Sequence, residues 1–332
     1  MNDAISLVEI WRGPFLESVH RGHGVVCDAS GQVVEAWGDP TKTILPRSSC
    51  KMIQALPLVE SGAADAIGLS DRHLALACAS HQGATIHSDL VTSWLSHIDQ
   101  SDDDLRCGPQ FPRDRDVGNE MIRTYGSPCQ YHNNCSGKHT GFLTLKKHLN
   151  AGPDYIEPDH PVQKMVREAF EDVTNQPSPG FGIDGCSAPN FATTMQGLGR
   201  AMAWFASADP ESSATRERAA GRLVNAMRTH PELVAGEGRA CTELMRAMNG
   251  KVVLKTGAEG VYVAILPEQK LGVAVKIEDG TTRAAECAIA SILVRLGALN
   301  PDHPATLMRR NAPILNFRGV EAAWIRPAEG VF

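Results

Sequence analysis

Hydrophobic positions change their period along the chain, and the changes divide it into three stretches. The first is β-like. Ile5 to Trp11 is an apolar-rich run, and Gly24 to Cys27 and Gln32 to Trp37 flank Ser30-Gly31, a hairpin signal. After a turn at Asp39-Pro40, Ser48-Ser49-Cys50-Lys51 opens a stretch with apolar residues at Met52, Ala55, Leu56 and Val59, ending near Gly62. A serine ahead of such a stretch suits a helix N-cap, because its hydroxyl can accept from a free N–H of the first turn.

The middle of the chain takes the helical period. Ile86 to Ile98, Met195 to Phe205 and Arg216 to Met227 predict helices, and Val162, Met165, Val166, Ala169, Phe170 and Val173 share one face of another. Pro177-Ser178-Pro179-Gly180 and Asp209-Pro210 read as loops. The last third returns to β. Lys251 to Thr256, Val261 to Leu266 and Leu271 to Ile277 form a meander, and Arg283 to Leu296 predicts a helix packing back on it. The expected fold is α/β (α+β). One antiparallel sheet from the N- and C-terminal segments is flanked by helices, with a helical subdomain. The whole chain, 1–332, reads as a single catalytic domain with a helical insertion at about 65–245.

Composition narrows the functional classes. Of 332 residues 42% are hydrophobic and 21% charged, enough apolar material for a sizeable core. The net charge of −6 argues against nucleic acid as a partner, since phosphate binding needs concentrated Lys and Arg. No apolar run approaches the roughly 20 residues of a membrane span; the best, Ala288 to Val294, is stopped by Arg295. The N-terminus has no basic stretch leading into an apolar one, so a cytoplasmic location is expected, with no membrane partner. The nine cysteines then read as reduced thiols, mostly small buried residues.

Three short motifs carry chemistry. Ser48 and Lys51 stand three apart, a spacing that puts them on one helix face. A serine hydroxyl needs a base beside it, and a desolvated lysine can be that base. Taken alone the pair is an N-cap serine and a solvated lysine. It is followed, however, by Tyr131-His132-Asn133 and by Lys255-Thr256-Gly257 on a predicted strand. The order Ser-x-x-Lys, Tyr-x-Asn, Lys-Thr-Gly resembles the serine β-lactamase, penicillin-binding-protein and glutaminase superfamily. Cys135-Ser136-Gly137-Lys138-His139 is not a usual zinc spacing, since zinc prefers cysteine, histidine and carboxylate.

Longer segments sharpen the resemblance. Pro46 to Lys51, Ala79-Ser80-His81, Asn133 to His139, Gly182-Ile183-Asp184-Gly185-Cys186, Cys241 to Met245 and Lys255 to Gly260 together resemble the asparaginase II family of the Rhizobium etli type. The likeness implies hydrolysis of L-asparagine to L-aspartate and ammonia, a glutaminase/serine β-lactamase-like fold and a homodimer. It implies two Ser-Lys pairs, Ser48 with Lys51 and Ser80 with Lys255. It also implies a zinc ion (Zn2+) held by Cys135, Lys138 and Cys241, with Asp184 near its water. By the same analogy the oxyanion is met by the backbone N–H groups of Ser48 and Ala258.

On this reading Ser48 attacks the side-chain amide, a neutral Lys51 takes its proton, and Lys255 is the positive charge that keeps Lys51 neutral. Ser80 relays the proton to the leaving ammonia. Arg47 has the fork to bind a carboxylate. Asn133, Asp184, His81 and Ala258 complete the expected substrate contacts, and Cys50 and Cys186 read as packing residues. The alternatives are a zinc-water amidohydrolase acting on a related amide such as glutamine, a penicillin-recognising enzyme, and a non-catalytic amino-acid-binding protein. Asparagine and glutamine differ by one methylene, worth about 1–3 kcal/mol in a pocket, and the sequence leaves that choice open.

Overall fold

The β-rich ends of the chain meet in one antiparallel sheet, seen in a computed structural model that describes residues 3–332. In chain order the strands of this sheet are β1 (Ile5–Arg12), β2 (Phe15–Cys27), β3 (Val33–Trp37), β4 (Val253–Gly257), β5 (Val261–Leu266), β6 (Leu271–Ile277), β7 (Ala312–Leu315) and β8 (Glu321–Pro327). The principal helices are α1 (Lys51–Gln54), α2 (Asp71–Ala77), α3 (Thr85–His97), α4 (Ser136–His148), α5 (Pro161–Thr174), α6 (Met195–Ser207), α7 (Thr215–Thr229), α8 (Ala240–Ala247) and α9 (Thr282–Arg295). The sheet order is β7-β8-β1-β2-β6-β5-β4, with β3 also paired to β2. The α/β class and the sheet built from both termini are as the sequence predicts.

Two compact units divide the chain. The first comprises Met1–Ser49, Thr193–Ser207 and Glu243–Phe332; the second comprises Cys50–Ala192 and Ala208–Thr242.

In the first unit every residue of β5 is buried, so both faces of that strand are covered. Helices α6 and α9 pack on β5 and β6. Strands buried on both sides lose the apolar-polar alternation, which is why β5 reads as a continuous apolar run. Glycine decides how close α6 comes. A Cβ on Gly272 of β6 would stand 2.1 Å from the Ala203 nitrogen and 2.3 Å from the Gly199 oxygen. The C-terminal hairpin of β7 and β8 has no counterpart in the sequence reading. It joins the sheet through β1, with Ile10 opposite Ile325 and Trp11 opposite Trp324. Pro313 interrupts the strand pattern of β7 and is tolerated because β7 is an edge strand.

The second unit is mostly helical. Ten consecutive residues of α4, Ser136 to Leu145, are buried, and α2, α3 and α5 pack on it. A helix buried all round shows no amphipathic stripe, so the pattern of apolar positions does not announce α4. Gly137 sets its approach to α2: a Cβ there would lie 2.4 Å from the Leu76 oxygen.

The stretch from Ser48 differs from expectation. Arg47–Cys50 is a 3₁₀ turn, α1 follows at Lys51, and a second short helix runs Leu56–Glu60. Ser48 lies inside the turn rather than capping a long helix. Among the described residues no helix is long and apolar enough to cross a membrane.

Gly272→Ala should destabilise the protein by at least about 1–3 kcal/mol, because its neighbours at α6 are backbone atoms that cannot rotate away. A lowered urea midpoint at unchanged slope is the expected result; an unchanged midpoint would refute the close approach.

Candidate active site

In the first unit the Ser48 turn and the end of β4 are pressed together. A Cβ on Gly257 would stand 2.7 Å from both the Pro46 oxygen and the Ser49 nitrogen, so only glycine admits this contact. Two residues earlier on β4, Lys255 is 1% exposed. Its Nζ donates to the Thr256 oxygen at 2.8 Å. An edge strand usually carries its lysine in solvent; burial of this one is the informative departure. Of the two adjacent serines, Ser49 is fully buried and its hydroxyl donates to the Pro46 oxygen at 2.7 Å. Ser48 is half-buried. Arg47 ahead of it adopts φ +54°, a left-handed backbone that costs a non-glycine residue about 1–3 kcal/mol. Ala258 follows β4 directly, in the turn to β5.

In the second unit Lys51 is 1% exposed. Its Nζ donates to the Ala79 oxygen, to the Asn134 oxygen at 3.4 Å and to Cys135 Sγ at 3.1 Å. Three acceptors around one Nζ match the three donors of an ammonium group. Ser80, the residue after Ala79, is buried, and its N–H donates to the Val234 oxygen at 2.9 Å.

Two of the expected substrate contacts, His81 and Asn133, have hydrogen-bond partners within the second unit. His81 Nδ1 accepts from the Gly83 N–H at 3.1 Å, so the proton is on Nε2, which donates to Ser136 Oγ at 2.9 Å. Ser136 in turn donates to the Tyr131 oxygen, and the His81 ring stacks on His87 at 4.8 Å. Asn133 donates both amide hydrogens to the Cys107 and Gly108 oxygens, each at 2.9 Å, and its Oδ1 accepts from the Cys135 N–H at 2.9 Å. Both residues position the Cys135 segment.

That segment leads to a buried polar cluster. Lys138 Nζ lies 3.1 Å from Cys186 Sγ, and the Cys135 thiol is hydrogen-bonded to Cys186. Cys186 sits in the loop between two short strands, Phe181–Ile183 and Pro189–Phe191, where Ser187 takes φ +70°. The hydrogen bond from Cys135 holds the Cys186 thiol well below its ordinary pKa, against burial and with help from Lys138 and His139. Cys135 is correspondingly raised, by the same bond and by burial. Burial pulls the Lys138 ammonium down, but the charges at Cys186, Cys135 and Asp184 outweigh it and the net shift is upward. Cys186 is therefore the more acidic of the two thiols, and Cys135, whose Sγ donates to Asn134 Oδ1 at 2.9 Å, the less acidic.

Among the described residues no group of three or more His, Cys, Asp or Glu side chains forms a metal-holding cluster. Two sulfurs and one amine converge here, a donor set that suits zinc once the thiols and the amine release their protons. The second sulfur is that of Cys186, read from the sequence as a packing residue; Cys241, the ligand implied by the resemblance, is buried on α8. The Lys138–Cys186 contact spans 48 positions, and no local pattern signals it.

The family model described as L-asparaginase II matches residues 8–327. The chain belongs to the L-asparaginase II family. It is therefore placed among amidohydrolases, with a small-molecule substrate. The search of curated proteins gave no match. Among solved structures, the chain is similar to Mglu in its native form at 12% identity and TM-score 0.48, covering 85% of this chain and 66% of that one. It thus spans about two thirds of the Mglu length. It is also similar to a β-lactamase from Mycobacterium bovis (13% identity, TM-score 0.46, 84% and 95% covered). A penicillin-binding-protein homologue from Pyrococcus abyssi gives 13% identity and TM-score 0.37, with 94% and 84% covered.

Two outcomes test this geometry in the asparaginase II family chain. Gly257→Ala should push β4 off the Ser48 turn and lower kcat/KM by about 10²-fold, the scale of a roughly 1 Å misplacement; unchanged turnover would refute the contact. At about pH 7, below the ordinary thiol range, Cys186→Ser should remove one thiolate's ultraviolet absorbance. Cys27→Ser should not, because burial pushes the Cys27 thiol up to about 12. Equal spectra for the Cys186 variant and wild type would overturn the assignment.

Proposed function

We propose that this chain hydrolyses the side-chain amide of L-asparagine to L-aspartate and ammonia through an acyl-enzyme on Ser48. The observation that carries the reading is the packing of the Lys255-Thr256-Gly257 end of β4 onto the Pro46–Ser49 turn. A buried lysine on that strand belongs beside a nucleophile rather than in solvent.

Ser48 Oγ attacks the amide carbon, and its proton passes to a lysine amine. Lys51 and Lys255, both buried, are the two amines available; one takes the proton while the positive charge of the other keeps it neutral beforehand. The backbone N–H groups of Ser48 and Ala258 meet the oxyanion. The proton is then delivered to the departing nitrogen, with Ser80 as relay, and ammonia leaves. Water cleaves the ester, returning Ser48 Oγ–H and releasing aspartate. Arg47 offers its guanidinium fork to the substrate's α-carboxylate.

Zinc is part of the proposal through Cys135, Lys138 and Cys186. Bound there, it would supply a fixed positive charge for the carboxylate end of the substrate. A second reading, zinc-water attack on an amide such as glutamine, draws on the same donor set. A homodimer remains the expectation of the resemblance, and a cytoplasmic location that of the N-terminal sequence pattern.

Ammonia release from L-asparagine and L-glutamine, with metal content measured on the same sample, tests the proposal. Ser48→Ala should lower kcat at least about 10³-fold, and an acyl adduct on Ser48 should be trapped by mass spectrometry. Full activity in Ser48→Ala, with chelation abolishing turnover, would replace the serine reading by the metal one.

A further inference from the structure

The short helix Pro231–Val234 in the second unit depends on groups outside itself. A helix of this length leaves its last carbonyls without partners of its own. Three of its four carbonyl oxygens accept from elsewhere in the unit. Pro231 O accepts from Thr242 Oγ1 at 3.1 Å, and Val234 O from the Ser80 N–H at 2.9 Å. Glu232 O lies 2.9 Å from Nε2 of His87, a fully buried residue near the start of α3. A carbonyl only accepts, so Nε2 carries a proton and donates. Among the described residues the buried Nδ1 has no hydrogen-bond partner. Burial pulls the His87 pKa down, outweighing the Glu232 and Ala84 carbonyls and the carboxylates of Asp114 and Glu232. The ring is therefore neutral, with its one N–H on Glu232. One face of it lies against His81, the residue after Ser80, with 4.8 Å between centroids and 10° between planes.

We propose that His87 is a positioning residue for Ser80: its Nε2–H fixes the helix that accepts the Ser80 N–H, and its ring backs His81, so Ser80 is braced from both sides. The two contacts reach Ser80 by different routes, one through the Pro231–Val234 backbone and one through the neighbouring side chain. The inference rests on the reading of Ser80 as the relay that protonates the departing nitrogen. A residue that only stabilised the unit would slow every substrate alike; a brace for the relay matters most where the leaving group needs a proton.

Two substrates separate these roles. L-Asparagine releases ammonia, which must be protonated as it departs; the β-hydroxamate of aspartate releases hydroxylamine, a much weaker base that needs less help. His87→Phe keeps a ring against His81 and removes the donor. It should lower kcat on asparagine about 10–100-fold, the scale of a small misplacement, and lower it far less on the hydroxamate. His87→Gln, which keeps an N–H near the place of Nε2, should recover most of the loss. In a Ser80→Ala background His87→Phe should cost nothing further. Equal loss on both substrates, or an undiminished loss in that background, would overturn the proposal. Wild-type turnover in Ser80→Ala would overturn the relay and this inference with it. Two measurements need no turnover. The Ser80 amide should exchange with solvent about 10–100-fold faster in His87→Phe, with the amides of α5 unchanged; unchanged Ser80 exchange would refute the brace. Long-range nitrogen NMR of the wild type should show His87 as the Nε2–H tautomer, and an Nδ1–H tautomer would refute the proposal even if no variant folds. Faster Ser80 exchange in a chain whose wild type releases no ammonia would uphold the brace and overturn the proposed activity.

Discussion

A cation taken out of water must find acceptors inside the protein, and that requirement shapes the second unit. Lys51 and Lys138 are both almost fully buried. An uncompensated charge in such a place is costly enough that the group would neutralise instead. Here the donors of Lys51 go to Ala79 O, Asn134 O and Cys135 Sγ, and Lys138 faces Cys186. Backbone carbonyls and sulfur do the work that a carboxylate performs at a surface ion pair. The loops that present those acceptors are thereby tied to the lysines.

Much of the surrounding polar structure follows from holding these acceptors still. Asn133 satisfies two carbonyls and orients the Cys135 N–H. His81 bridges the Gly83 N–H and Ser136 at the start of α4. Each residue has its hydrogen-bonding groups matched locally, which leaves little freedom for the Cys135–His139 segment to rearrange. The two glycines that matter most, Gly137 and Gly257, admit backbone approaches that a Cβ would block. They set positions for the polar groups rather than contribute any chemistry of their own.

Cysteine has two distinct uses in the chain. Cys27, Cys107 and Cys287 are small apolar fillers whose thiols burial drives up to about 12. Cys135 and Cys186 face one another beside two lysines, and that company pushes Cys186 the other way. Burial alone does not distinguish the two groups, since all five are buried. The difference is the presence of cations and a hydrogen-bond donor.

Periodicity predicts the strands β5 and β6 and the helices α3, α5, α6, α7 and α9, motif order nominates Ser48, Lys51 and Lys255, and Cys135 and Lys138 come only from the family resemblance. Those elements have local causes: alternating or 3.6-residue apolar spacing, turn residues between them, and side chains three apart. The C-terminal hairpin was not legible, because Pro313 breaks its strand pattern and its pairing is with β1, at the other end of the chain. Nor was the contact between Lys138 and Cys186, which spans 48 positions and exists only once the second unit has folded. The sequence named groups that can do acid–base and nucleophilic chemistry. Tertiary structure decided which are already satisfied, as His81 and Asn133 are, because hydrogen-bond partners distant in the chain are set by packing and not by spacing.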